Sequence, residues 1–216
     1  MSHNEINRND ENLWLKITAE DYEGHMSSPN VQQLQMLAKI FADVIAQFSP
    51  ESILVPGSTT GNGFDCLSGG NIKRIVGVDI NPEYIDVCRS RYGKKLPGLE
   101  LICSDLSEID FPENSFDLIH AALIFEYVEA AMIMKKFARW LRTDGKLSVI
   151  LQLPGKGSSP VSESPFQSVK ILSDVINLIE PGKLKESAAE MNLKCINEEL
   201  ITLSTGKQFQ KMIFKK

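Results

Sequence analysis

Between residues 31 and 48 the apolar side chains fall at Val31, Leu34, Leu37, Ala38, Phe41, Val44, Ile45 and Phe48. Spacings of three and four place them on one face of a helix, and Ser28-Pro29-Asn30 offers a start signal. Then the period changes. Residues 52–56, 74–78, 99–103, 116–122 and 146–153 are short, continuous apolar runs. Such runs, without polar alternation, mark strands covered on both faces. Helical stretches lie between the later runs. Asn81-Pro82 opens one with a cap side chain and a first-turn proline, and Gly93 closes it. Residues 125–142 form another, ended at Asp144-Gly145, and a third spans about 183–191. Two extended segments, 194–204 and 208–214, flank the turn Thr205-Gly206-Lys207, a hairpin signal. The pattern predicts an α/β fold. It is a Rossmann-like, seven-stranded, mostly parallel sheet with helices on both faces and an antiparallel C-terminal strand.

The chain has 216 residues, 43% hydrophobic and 24% charged, with a formal net charge of -5. That balance fits one globular domain and disfavours nucleic acid, whose phosphates select basic surfaces. Residues 1–12 read as a polar tail without an apolar signal region, and no run approaches the ~20 residues that span a bilayer. The expected setting is cytoplasmic, as a monomer or homodimer. Cys66, Cys88, Cys103 and Cys195 are scattered and read as buried free thiols. His3, His25 and His120 do not cluster with other ligands, so no metal is expected. Residues 1–30 form an N-terminal tail and possible lid segment, and 31–216 the domain proper.

Three features fall just beyond strand ends, where ligands bind in such sheets. The first is the turn Pro56-Gly57-Ser58-Thr59-Thr60-Gly61-Asn62-Gly63, whose glycines let the backbone pass close to a ligand. Taken alone, it fits a plain tight turn equally well. The second is Asp79, at the end of the next strand, where a carboxylate can accept from both ribose hydroxyls. A helix cap is the alternative role, but Asn81 serves that better. The third is Ser104-Asp105-Leu106, placed so that Asp105 accepts from an adenine amino group and Leu106 packs on the ring. A polar turn residue explains Asp105 in isolation. Two acids after successive strands suit a single adenosine rather than a dinucleotide, and no G-x-G-x-x-G spacing is present.

In order and spacing these segments resemble the class I S-adenosylmethionine-dependent methyltransferases. Residues 52–61 are similar to the first motif of that family, 76–80 to the second and 103–106 to the third. Phe116-Asp117-Leu118-Ile119 with the following 121–128 resembles the fourth-strand segment of the ubiquinone/menaquinone-type, small-molecule subgroup. Residues 142–147 look like the turn into strand five. The resemblance implies S-adenosyl-L-methionine as cofactor, S-adenosyl-L-homocysteine as product and a small-molecule methyl acceptor. Cofactor contacts would come from Gly57, Ser58, Thr59, Gly61, Asp79, Ile80, Ser104, Asp105, Leu106, Ala121 and Ala122. Three positions depart from the family. Val55 stands where an acid is usual, Thr59 where a second glycine is usual, and Tyr127 where the subgroup often has histidine. They motivate an alternative, a degenerate member that binds an adenosyl ligand or a partner without catalysis. Asn81-Pro82-Glu83-Tyr84 superficially resembles a nitrogen-methylase motif, but it follows strand two rather than strand four and reads as a cap.

Methyl transfer from a sulfonium asks mainly for alignment and exclusion of water. A base is needed only where the acceptor must lose a proton. Acceptor-side groups are expected from residues 21–26, from the Ser/Gly/Pro-rich loop 153–165 and from the amphipathic stretch 166–179, which could close as a lid. Phe125-Glu126-Tyr127 would stand near the wall. Candidate catalytic side chains are His25, Tyr22 and Tyr127, whereas His120 reads as a hydrogen-bonded core residue. With Met26, Phe125, Tyr127 and Phe166 nearby and few cations, the pocket is expected to take a small, partly apolar molecule.

Overall fold

The computed structural model describes residues 12–69, 71–155 and 159–216. The polar tail 1–11 and part of the loop 153–165 lie outside the described residues. Two helices, α1 (Ala19–Ser27) and α2 (Gln33–Phe48), lead into strand β1 (Ser52–Pro56). There follow β2 (Arg74–Asp79), α3 (Pro82–Tyr92), β3 (Leu99–Cys103), β4 (Phe116–Ala122), α4 (Ala130–Trp140), β5 (Leu141–Gln152), α5 (Pro181–Glu190), β6 (Lys194–Thr202) and β7 (Gln208–Lys215). The seven strands lie in the order β3-β2-β1-β4-β5-β7-β6. Pairs among β1 to β5 are parallel, whereas β7 is antiparallel to both β5 and β6. The expected architecture is therefore present, with the antiparallel strand seated inside the sheet.

Alternation along each strand divides the core. Ile53, Val55, Ile75, Leu118, Ile150 and Ile213 face one side, where α1, α2 and α3 pack with Tyr22, Phe41 and Tyr84. Leu54, Val76, Ile119, Val149 and Phe214 face the other, covered by α4 and α5 through Ile133, Phe137, Trp140 and Leu184. Ile17, Ala19, Tyr22 and Met26 are all buried in the first of these clusters, so the segment ahead of α2 shares the core of the domain.

Four local expectations are corrected. Ser28-Pro29-Asn30 ends α1 instead of starting α2: the Ser28 N–H donates to the His25 carbonyl, and Gln32 at φ 56° turns the chain before α2 begins. The stretch 125–142 is no single helix. A 3-10 turn, Phe125–Tyr127, is followed by α4, whose N-terminus the Glu129 carboxylate caps through the N–H groups of Ala131 and Met132. Trp140 ends α4 and Leu141 already pairs with Phe116. Asp144-Gly145 then lies inside β5, where Asp144 takes φ 64° and the register slips before Lys146 pairs with Leu118. The stretch 166–179 holds a 3-10 segment, Gln167–Asp174. All four thiols are free, but only Cys88 is buried, and Cys103 is exposed. His120 is the core residue expected: buried, 3.2 Å from the Ser148 hydroxyl through Nδ1, stacked on Phe41, and held down to about 3 by burial. No helix among the described residues is long and apolar enough to cross a membrane.

Candidate active site

Strands are added outward in opposite directions on either side of the β1–β4 pair, and ligands of open α/β sheets bind in the crevice at such a point. Two non-glycine residues flank it in the left-handed region, Thr59 at φ 47° and Leu123 at φ 54°. Conformations of that kind cost an isolated side chain on the order of 1–3 kcal/mol and collect at functional sites. Gly57, at φ 66°, opens the turn after β1, and a Cβ there would stand 3.1 Å from the Ile124 side chain across the crevice.

Asp79 organises the turn. Its Oδ2 accepts from the Thr59 N–H at 2.8 Å and its Oδ1 from the Asn81 N–H at 2.9 Å. Burial pushes this carboxyl up to about 6, partly offset by the N–H groups of Asn81, Thr59 and Ile80. Each oxygen keeps acceptor capacity beyond these bonds. On β3's side, Asp105 Oδ1 accepts from the Ser107 N–H at 2.7 Å. The Lys136 ammonium, reaching from α4, donates to the carbonyls of Leu106, Ser107 and Ile109 and pins this loop.

A roof lies over these ends. The Asn81 side chain caps α3 through the Glu83 N–H, and its Nδ2 donates to the carbonyls of Trp14 and Ile17. Glu83 in turn accepts from the Ala19 N–H. Trp14 meets Tyr127 edge-on at 5.0 Å, and Tyr22 packs on Tyr84 at 5.4 Å. Glu23 binds both the Thr60 hydroxyl and the Arg91 guanidinium. Farther along α1, His25 Nδ1 is 2.8 Å from the Ser164 hydroxyl, and the Phe166 ring lies against Gly24.

Beneath the roof is a cavity of about 370 Å³. Of the residues expected at the cofactor, Gly57, Thr59, Asp79, Ile80, Ser104, Asp105, Leu106 and Ala122 line it. Ser58, Gly61 and Ala121 do not. Ser58 turns its hydroxyl toward Gly77, Gly61 abuts Tyr92 and Cys88, and Ala121 is core. Tyr22, His25 and Tyr127 all line the cavity. Burial raises both tyrosines, Tyr22 to about 12, and lowers His25 to about 4, aided by the nearby Lys207 charge. Phe125 and Phe166 are not part of the wall: Phe125 packs on Phe137 below it.

Three further polar groups line the cavity: Glu126, which the sequence placed near the wall without a role, and Gln152 and Lys207, which it missed. Glu126 is 1% exposed; its Oε1 accepts from the Gln152 N–H at 2.8 Å, its Oε2 has no partner, and burial pushes it up to about 7. Gln152 Nε2 and Lys207 Nζ both donate to the Pro160 carbonyl, at 2.8 and 2.7 Å. Glu126 had a signal in being an acid embedded in the apolar run 121–128. Lys207 had one in the antiparallel pairing, which brings the start of β7 beside the end of β5.

Residues 54–149 match the profile of a methyltransferase domain. An uncharacterised methyltransferase-like protein of Schizosaccharomyces pombe is 31% identical over 98 residues, 45% of this chain and 37% of that protein. The O-methyltransferase cnsE of Penicillium expansum is 25% identical over 166 residues, 73% of this chain and 57% of its own. Over residues 54–149 the chain is thus similar to methyltransferase domains. The chain spans 37% and 57% of the lengths of these two relatives. In fold, the chain resembles the crystal structure of the [4+2]-cyclase SpnF, with TM-score 0.67 at 13% identity over 86% of this chain and 82% of that one. Val55, where the methyltransferase family usually has an acid, is packed in the core beside Ile53 and Leu118.

Proposed function

We propose that this protein transfers the methyl group of S-adenosyl-L-methionine to a small, largely apolar acceptor bound under the roof. The observation that carries the proposal is the single cavity joining the carboxyl ends of β1, β2 and β3 to a pocket beneath α1. The residues at its first end suit the cofactor chemically. Asp79 offers buried carboxylate acceptors for ribose hydroxyls, Asp105 an acceptor for the adenine amine, and Ile80 and Leu106 apolar faces for the ring. When bound, the cofactor supplies an electrophilic sulfonium methyl. The protein's part is to orient the acceptor and keep water out, tasks that fall to Trp14, Tyr22, Met26 and Tyr127. Where the acceptor must release a proton, Glu126, near 7, is better matched to neutral pH than His25, near 4. Calorimetry with S-adenosyl-L-homocysteine tests the cofactor site, and binding unaffected by Asp79→Ala would overturn the assignment.

A second reading keeps the adenosyl ligand without methyl transfer. Val55 in place of the usual acid favours it, as does the strained Thr59 in place of glycine. Repeated turnover of S-adenosyl-L-methionine with extracted small molecules separates the two readings; tight binding alone does not.

A further inference from the structure

The deep end of the cavity has one ammonium. Lys207 lines it, and its Nζ donates to the Pro160 carbonyl at 2.7 Å, which occupies one of three N–H donors. Gln152 donates to that same carbonyl, so a fixed oxygen positions both side chains. Ion pairs elsewhere join lysines to Asp43, Glu51, Glu163, Glu180, Glu198, Glu199 and Asp144, yet among the described residues no carboxylate lies within 4.0 Å of Lys207. The Lys207 charge acts on His25, itself a base that burial keeps neutral. Glu126 does not serve as the counter-ion, since neither of its oxygens lies within 4.0 Å of the ammonium and its Oε1 accepts from the Gln152 N–H. The same cavity carries apolar side chains from Met26, Leu37, Val161, Val169 and Leu172. Burial draws Lys207 down to about 8.

A half-buried cation that has, among the described residues, one hydrogen-bond acceptor and no carboxylate within 4.0 Å is suited to an anion from outside. We infer that Lys207 anchors an organic carboxylate, so that the methyl acceptor is an apolar acid held by its anionic head. This deepens the proposed methyl transfer and rests on the same cavity. The geometry also fits the chemistry: Gln152 stands beside the ammonium as a second polar group, while the hydrocarbon body contacts the aliphatic wall.

Matched eight-carbon probes differing only in head group test this. Octanoate, octanol and octylamine are titrated calorimetrically into the full chain, with and without S-adenosyl-L-homocysteine. Octanoate should bind at least tenfold more tightly than octanol, and octylamine most weakly. Lys207→Gln should reduce octanoate to the level of octanol while leaving octanol unchanged, which also reports that the variant is folded. Lys207→Arg should keep most of the preference. Equal binding of octanoate and octanol, or a preference that survives Lys207→Gln, overturns the inference. Failure of S-adenosyl-L-homocysteine to bind, with the octanoate preference intact, removes the methyl-transfer reading and leaves the anion site standing.

Discussion

Replacing Glu126 by glutamine keeps an acceptor oxygen for the Gln152 N–H and removes a buried carboxyl. Burial raises this group from 4.5 to about 7 in the folded protein, and at 1% exposure solvent screens it little. Because the folded state holds the proton more tightly than the unfolded state, its stabilising contribution is complete below pH 4.5. It is lost as pH rises through 7. Each tenfold difference in proton affinity between the two states corresponds to about 1.4 kcal/mol, so the loss across that window is on the order of 3 kcal/mol. The variant lacks this pH dependence. Any fixed cost of placing an amide nitrogen beside the unpaired site is the same at every pH and cancels when the difference between the two proteins is followed. Urea unfolding from pH 4.5 to 8 should therefore show Glu126→Gln gaining on the wild type by on the order of 3 kcal/mol. In melting temperature that corresponds to roughly 6–12 °C for a domain of this size. A constant gap across the range would show that Glu126 titrates normally, and its match to proton transfer near neutrality would go with it.

Asp79→Ala should weaken S-adenosyl-L-homocysteine by about 1–3 kcal/mol through lost charge-assisted hydrogen bonds, with equal affinity by calorimetry as the contrary result. Gly57→Ala places a side chain at φ 66° and 3.1 Å from Ile124, so it should cost about 1–2 kcal/mol of stability and weaken the same ligand; an unchanged urea midpoint would contradict this. Gly24→Ala brings a Cβ to 2.1 Å from the Phe166 ring and should destabilise by about 1–3 kcal/mol. Combined with Phe166→Ala it should cost less than the sum of the two changes, since the clash has gone, and strict additivity would place the damage elsewhere.

Much of the fold was legible because parallel strands buried on both faces leave unbroken apolar runs, as at Ile53-Leu54-Val55. The end of the cavity proposed for the cofactor was legible because Gly57, Asp79 and Asp105 each follow such a run. The proposed acceptor end was legible only in part: residues 21–26, 125–127 and 153–165 were expected there, whereas the β6–β7 turn was not. That end is assembled from α1, the turn after β4, the segment around Pro160 and the β6–β7 turn, which meet only in three dimensions. Lys207 looked like an ordinary hairpin lysine until the pairing of β7 with β5 placed it beside Gln152. Asp144-Gly145 carried true turn chemistry, but tertiary pairing of Leu141 with Phe116 made that turn an excursion within a strand. Ser58, Gly61 and Ala121 fell next to the right residues in sequence and behind them in space.

The position of β7 has a consequence for biosynthesis. It is the seventh strand to be made, yet it is hydrogen-bonded on both sides, and Phe209, Met212, Ile213 and Phe214 are fully buried. A chain emerging from the ribosome can gather β1 to β5 and their helices while β5 still presents an open edge. Such an edge is a template for pairing with other chains. Closing that edge falls to the β6–β7 hairpin docking on β5, and a chain arrested before residue 208 would leave it open.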